Sequence, residues 1–244
     1  EEGESIASAH KGARVDLKLP QNQIDFVKKM RSTSENLVVV VTAGSAVNLK
    51  EIHDIADAVL YVWYPGEQGG NAVADVLFGD ANPSGRLPVT IPYSVEDLPP
   101  FEDYAMTDRT YRYATKEPMY PFGFGLSYTK FEYSDLELSK SKIRKNQDLE
   151  LKVTVTNTGD FAGEEVTQLY LKDVQATVML PLMALKGFQR VSLASKESKT
   201  LTFKVTPKMM EMVDKDGNHK VEAGEFKVMI GGSAPMERSG VLGA

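Results

Sequence analysis

The sequence predicts an α/β layer followed by an all-β sandwich within one chain of 244 residues. Three observations carry this expectation. Over roughly the first 90 residues, apolar positions at helical spacing alternate with unbroken β-branched runs, the signature of helices packed on a mostly parallel sheet. After Tyr133 the apolar period changes to two, as in strands with one buried face. Between them, from Asn82 to Pro121, no period is sustained and prolines punctuate the chain.

The elements follow in order. After Pro20, Ile24, Val27 and Met30 recur every three positions and Phe26 lies four before Met30, so the four share a broad face of an amphipathic helix from Gln21 to Arg31. Asn36-Leu-Val-Val-Val-Val-Thr42 reads as a strand buried on both faces, ending at Ala43-Gly44-Ser45. A second such run, Ala58-Val-Leu-Tyr-Val-Trp63, follows a short helical stretch. Gly66-Glu-Gln-Gly-Gly70 then opens a stretch with Ala72, Val73, Val76 and Leu77 at helical spacing, ending near Gly79. The order helix, strand, helix, strand, helix makes an α/β layer. The long irregular stretch behind it wraps a surface or lines a site. Beyond it Leu149, Leu151, Val153 and Val155 alternate with polar residues, as do Leu201, Phe203 and Val205, and then Phe226, Val228 and Ile230. Turn signals stand at Asn157-Thr-Gly-Asp160 and Asp214-Lys-Asp-Gly217. Such a series of alternating strands predicts an immunoglobulin-like β-sandwich. The expected divisions are 1–95 for the α/β portion, 96–130 for the connecting segment and 131–244 for the sandwich.

Composition removes several classes of function. With 28 Lys and Arg against 34 Asp and Glu, the formal charge is −6, and no basic run stands out to bind a nucleic-acid backbone. No segment approaches the ~20 apolar residues of a membrane helix. The absence of cysteine excludes disulfides and thiolate metal sites and leaves the compartment open. The chain opens Glu1-Glu2-Gly3-Glu4, without an initiator Met or a charged-then-apolar leader, so a fragment or a processed product is expected.

Several residues invite chemistry and have plainer readings. His10 could carry protons, but beside Lys11 and Gly12 it reads as a loop residue. The Gly66 to Gly70 run lacks both the Lys-Ser/Thr ending of a phosphate loop and the spacing of a dinucleotide fingerprint, so it reads as a tight strand-to-helix turn. Asp214-Lys-Asp-Gly-Asn218 partly matches a calcium loop with Glu225 at its end. The sixth position, which needs glycine, is His219, so a hairpin turn is expected. Trp63, Tyr64, Tyr104, Tyr111, Tyr113, Phe122 and Phe124 flank or occupy the irregular region, where aromatic faces could stack on sugar rings. Trp63, ending a strand, reads as core.

Three segments together resemble family 3 glycoside hydrolases of the β-glucosidase type, over nearly the whole chain. They are Trp63-Tyr-Pro-Gly-Glu-Gln-Gly-Gly-Asn71, continuing through Ala74-Asp-Val-Leu-Phe-Gly-Asp80 to Asn82-Pro-Ser-Gly-Arg-Leu-Pro88; Tyr120-Pro-Phe-Gly-Phe-Gly-Leu-Ser-Tyr-Thr129; and the sandwich with Val153-Thr-Val-Thr-Asn-Thr-Gly159, Gly163-Glu-Glu-Val166, Leu169-Tyr-Leu171 and Leu185-Lys-Gly-Phe188. Leu180-Pro-Leu182 and Ser195-Lys-Glu197 depart from the family's usual Arg-Pro and Pro-Gly-Glu, both in connections.

The resemblance implies the C-terminal portion of the family's α/β sandwich domain joined to a fibronectin type III-like domain. It implies a retaining β-glycosidase that hydrolyses terminal β-linked sugars, with a β-glucoside or related oligosaccharide as substrate and neither cofactor nor metal. The nucleophilic Asp would lie on an N-terminal barrel domain of the same enzyme, absent from this chain. The acid/base glutamate precedes the segment seen here as Arg14-Val-Asp-Leu-Lys-Leu-Pro20. An ungapped count back from Arg14 selects Glu2, a shifted loop selects Glu4, and other subgroups point near Ala9 or His10, where no carboxylate stands. A periplasmic or extracellular location is favoured. The alternative is a non-catalytic carbohydrate-binding or interaction module derived from such an enzyme.

Overall fold

The computed structural model describes residues 16–243, so Glu2, Glu4 and His10 lie outside the described residues. The chain forms an α/β unit and an antiparallel β-sandwich unit. The first contains residues 16–81, Val89–Tyr104 and Pro118–Tyr120; the second contains Asn82–Pro88, Ala105–Glu117 and residues 121–243.

In the first unit α1 (Gln21–Thr33) starts directly after Pro20, whose carbonyl accepts from the amides of Gln23 and Ile24. Its inner face is narrower than its periodicity implies: Ile24 is buried and Phe26 is 61% exposed. Strand β1 (Val38–Val41) is followed by the single turn α2 (Lys50–His53), and β2 (Ala58–Tyr61) lies parallel to β1 with Val38 opposite Ala58 and Val41 opposite Tyr61. Helix α3 (Gly69–Phe78) closes the series. The Asp57 carboxylate, just before β2, accepts from the amide of Leu37, just before β1, at 2.7 Å and from Arg31 at the end of α1 at 2.6 Å. Val41, Val47, Leu49, Ile52, Ile91, Met119 and Tyr120 are buried, the last three arriving on the returning segments, where Ile91 and Tyr120 form an antiparallel bridge. The Tyr120 hydroxyl meets His53 Nδ1 at 2.8 Å. One expectation fails: Val38 and Val40 are 47% and 40% exposed. A parallel sheet is buried on both faces only where a layer covers each, and the described residues leave these two valines uncovered.

The second unit contains the short helix α4 (Thr110–Tyr113) and the strands β3 (Phe131–Leu138), β4 (Leu149–Asn157), β5 (Gly163–Asp173), β6 (Ala184–Leu193) and β7 (Ser198–Val205). The turn α5 (Pro207–Met210), the hairpin β8 (Met212–Val213) and β9 (His219–Lys220), β10 (Phe226–Gly231) and α6 (Glu237–Leu242) complete it. One antiparallel sheet has the order β3-β4-β7 and the other β10-β5-β6. The two-residue period of β4 turns Leu149, Leu151, Val153 and Val155 inward; the first three pack with Leu169, Leu171, Phe203 and Val205, and Val155 with Val191 and Leu193. At the turn after β4, buried Asn157 uses both ends of its amide: Oδ1 accepts from the Thr129 hydroxyl at 2.5 Å, and Nδ2 donates to the Phe161 and Leu193 carbonyls.

Strand β5 is buried on both faces. Its second face, with Gln168 and Tyr170, lies under the irregular segments rather than under water. Tyr111 stacks on Phe122 with centroids 4.4 Å apart, sets its edge against Tyr170, and accepts a hydrogen bond from the Leu185 amide at 3.1 Å. Gln168 donates to the carbonyls of Gly123 and Gly232 and accepts from the Tyr170 hydroxyl at 2.6 Å. Gly123 has φ +78°, and a Cβ there would stand 2.1 Å from Gln168 Oε1, so only glycine fits. The part of the aperiodic stretch that carries Tyr111, together with Phe122 and Gly123 just after it, thus covers one sheet. On the edge strand β3 the register shifts between Ser134 and Glu137, around Asp135 with φ +51°.

Candidate functional site

In open α/β sheets, ligands bind outside the carboxyl ends of the strands. In the first unit those ends are Thr42–Ser45 after β1 and residues 62–70 after β2. The Tyr61 hydroxyl donates to the Ser45 carbonyl at 2.5 Å and ties the two exits together. Trp63 stands two residues past β2, partly exposed, with its ring 4.7 Å from that of Tyr61 and tilted by 52°. Its φ is +53°, a left-handed conformation that is a true outlier for a bulky side chain. Trp63 is therefore neither inside the strand nor fully in the core, contrary to the plain reading of the sequence. Behind it Gly66 takes φ +73° and its carbonyl accepts from the Gly69 amide, so the glycine run is the strand-to-helix turn into α3. A separate cleft of about 250 Å³, bordered by Lys18, Asn48, Glu51 and Tyr93, is smaller than a typical ligand pocket.

The other aromatics divide. Tyr111 and Phe122 hold the cover on β5, Phe124 is buried, Tyr113 lies beside Arg112, and Tyr64 and Tyr104 are exposed. Asp214 heads a hairpin: its carboxylate accepts from the amides of Asp216 and Asn218, and Gly217 takes φ +82°. Among the described residues no cluster of His, Cys, Asp or Glu is suited to hold a metal ion.

A general acid for glycoside cleavage needs a carboxyl group that holds its proton near neutrality. Asp57, Asp108, Glu164, Glu197, Asp214 and Glu222 are all held below the usual carboxylate range. The chief cause in each case is one hydrogen bond: from the Leu37 amide, the Thr115 hydroxyl, the Ser192 hydroxyl, the Ala194 amide, the Asn218 amide and the Thr177 hydroxyl respectively. None of these six is suited to donate a proton.

Sequence reasoning missed a buried charge cluster in the second unit. Arg86 Nη2 meets Glu165 Oε2 at 2.5 Å, and the Tyr133 hydroxyl donates to Glu165 Oε1 at 2.7 Å. Burial first, and the Glu165 charge next, push the Tyr133 phenol well above its ordinary range. Next to it Glu164 accepts from Ser192, Arg190 and Ser84. Asn82 donates to the Ala162 carbonyl and accepts from Ser127 and the Tyr128 amide, and Leu87 exchanges backbone bonds with Gly123 and Phe124. Within this unit the Asn82–Pro88 motif thus meets residues 123–128 and Gly163–Val166 at one seam. The signal was an arginine in one motif and paired glutamates in another, but no spacing in the sequence joins them.

Comparison with known proteins gives a consistent result. The model of the glycosyl hydrolase family 3 C-terminal domain matches residues 2–128, and that of the fibronectin type III-like domain matches residues 165–234. A periplasmic beta-glucosidase of Salmonella typhimurium is 38% identical over 242 residues, covering 94% of this chain and 32% of its own length. A xylan 1,4-beta-xylosidase of Xylanibacter ruminicola is 37% identical over 227 residues, covering 91% of this chain and 26% of its own. The crystal structure of a beta-glucosidase from Listeria innocua in complex with isofagomine matches with a TM-score of 0.82 at 31% identity, over 92% of this chain and 33% of that one. The chain spans between about a quarter and a third of the length of these relatives.

Proposed function

Because the chain belongs to glycoside hydrolase family 3, we propose that it works as the C-terminal third of a retaining β-glycosidase acting on terminal β-linked glucosides or related oligosaccharides. The observation that carries this reading is the match of both domains, in order, to relatives named as β-glucosidases and β-xylosidases along more than nine tenths of the chain. Retention requires two carboxyl groups about 5 to 5.5 Å apart, one attacking the anomeric carbon and one protonating the leaving oxygen. The nucleophilic Asp belongs to an N-terminal barrel, the partner of this chain, and the acid/base belongs to the loop carrying Glu2 and Glu4. Two carboxyl groups complete a double displacement without metal or organic cofactor. A periplasmic or extracellular location fits the Salmonella relative, which is named as periplasmic.

The test compares aryl β-glucoside hydrolysis by this chain alone and by a polypeptide in which a barrel precedes it. Turnover is expected only from the second; its absence there would favour the non-catalytic module. Within an active polypeptide, replacing the acid/base with Ala slows poor leaving groups far more than activated aryl glycosides, and azide restores turnover as a glycosyl azide of retained configuration. Glu2→Ala or Glu4→Ala should show this signature and His10→Ala should not. Near-normal activity of both glutamate variants on disaccharides would place the acid/base elsewhere.

A further inference from the structure

We propose that the Trp63 ring at the carboxyl ends of β1 and β2 is a stacking platform for a pyranose whose hydroxyls are all equatorial, such as a β-glucoside or β-xyloside. The inference builds on the reading of the chain as part of a glycosidase. Trp63 is held in a conformation that costs about 1 to 2 kcal/mol at a non-glycine residue. Strain of this kind persists only where the surroundings impose it, and here they do. Tyr61 packs against one side of the indole at 4.7 Å while its hydroxyl is anchored on the Ser45 carbonyl. Pro65 sits so close to Gly69 that a Cβ there would fall 2.4 Å from its ring, which holds the turn after Trp63 against the start of α3.

The result is an amphipathic ring on a rigid mount, backed on one side, partly open to water, and placed where α/β sheets receive ligands. Trp63 stands two residues past the end of β2 in a left-handed conformation, outside the sheet. A pyranose with equatorial hydroxyls presents flat C–H faces that fit an indole, whereas an axial hydroxyl interrupts such a face.

Trp63 is the only tryptophan of the chain, so its emission reports this position alone. Titrating the 244-residue chain with methyl β-glucoside or cellobiose should give a saturable change in emission that sorbitol does not produce. By calorimetry Trp63→Ala should weaken methyl β-glucoside binding about tenfold or more, and Trp63→Phe, which keeps an aromatic face, by about threefold or less. In the barrel-bearing polypeptide Trp63→Ala should raise KM with kcat nearly unchanged. Emission indifferent to the sugars, or following sorbitol equally, overturns the proposal, as does wild-type affinity in Trp63→Ala. If Trp63→Ala does not fold, emission and the Phe variant decide. An inactive barrel-bearing polypeptide would instead refute the glycosidase reading, leaving the sugar titration to stand or fall by itself.

Discussion

Replacing Arg86 with Met should destabilise the sandwich unit by about 3 to 5 kcal/mol, the cost of leaving one member of a buried ion pair without its partner. The side chains of Arg86 and Glu165 are 9% and 4% exposed, so water cannot take over as it does for a surface pair, whose loss costs about 1 kcal/mol or less. The Tyr133 hydroxyl still donates to Glu165 in the variant, which favours the low end of the range. The pair is not ideally compensated in the parent either, since Arg86 Nε finds no hydrogen-bond partner among the described residues. Arg86→Met combined with Glu165→Gln should therefore recover part of the loss, as the charge and its orphan disappear together. The single variant should also acquire a pH dependence. A buried carboxyl group without a counter-ion has a raised folded pKa. The native state then binds a proton more tightly than the unfolded chain, and stability falls as pH rises above the unfolded carboxyl range. Urea unfolding followed by far-ultraviolet circular dichroism at several pH values measures both effects. A loss below about 1 kcal/mol for Arg86→Met, flat with pH, would mean that the pair behaves as a solvated one and would refute the argument.

Other consequences are checked more simply. Leu151→Ala, at the centre of the inter-sheet core, should cost about 2 to 5 kcal/mol in the same unfolding assay. Gly123→Ala should destabilise by more than about 1 kcal/mol, because the alanine meets both a positive φ and the Gln168 amide. A sandwich begun at residue 131 should melt below one that includes residues 82–130, since it loses Arg86 from Glu165 and the Tyr111–Phe122 cover from Tyr170; equal melting temperatures would sink that reasoning. Glu164, whose folded pKa is lowered, contributes stability that is present above its unfolded value of 4.5 and lost as pH falls through the folded one. Glu164→Gln should accordingly flatten the acid limb of the stability profile.

The parts of this fold legible in the sequence are those governed by local periodicity. Leu149 to Val155 alternate because one face of β4 meets the opposite sheet, and Gly66 marks a turn because glycine takes its φ of +73° without a Cβ clash. What stayed hidden depends on distant partners. Arg86 and Glu165 lie 79 residues apart, and nothing near either tells that one neutralises the other. Phe26 has the right spacing for the inner face of α1 and remains outside it, because width of cover, not periodicity, decides burial. Trp63 resembled a strand residue because β-propensity does not register a left-handed turn. As to the acid/base, Glu2 and Glu4 rest on family pattern alone, since a loop of variable length carries no periodic signal.

The register shift in β3 should bear on how this molecule behaves in a crowd. A strand at the margin of a sheet offers unpaired amides and carbonyls to any neighbouring copy, and Leu136 and Leu138 would make such an encounter adhesive. The shift around Asp135 breaks the row of donors and acceptors midway, and Glu132, Asp135 and Glu137 place like charges along the same margin. A second molecule approaching edge to edge finds neither a continuous ladder nor a neutral surface. Straightening that kink while neutralising those three acids should turn a concentrated solution of the protein turbid.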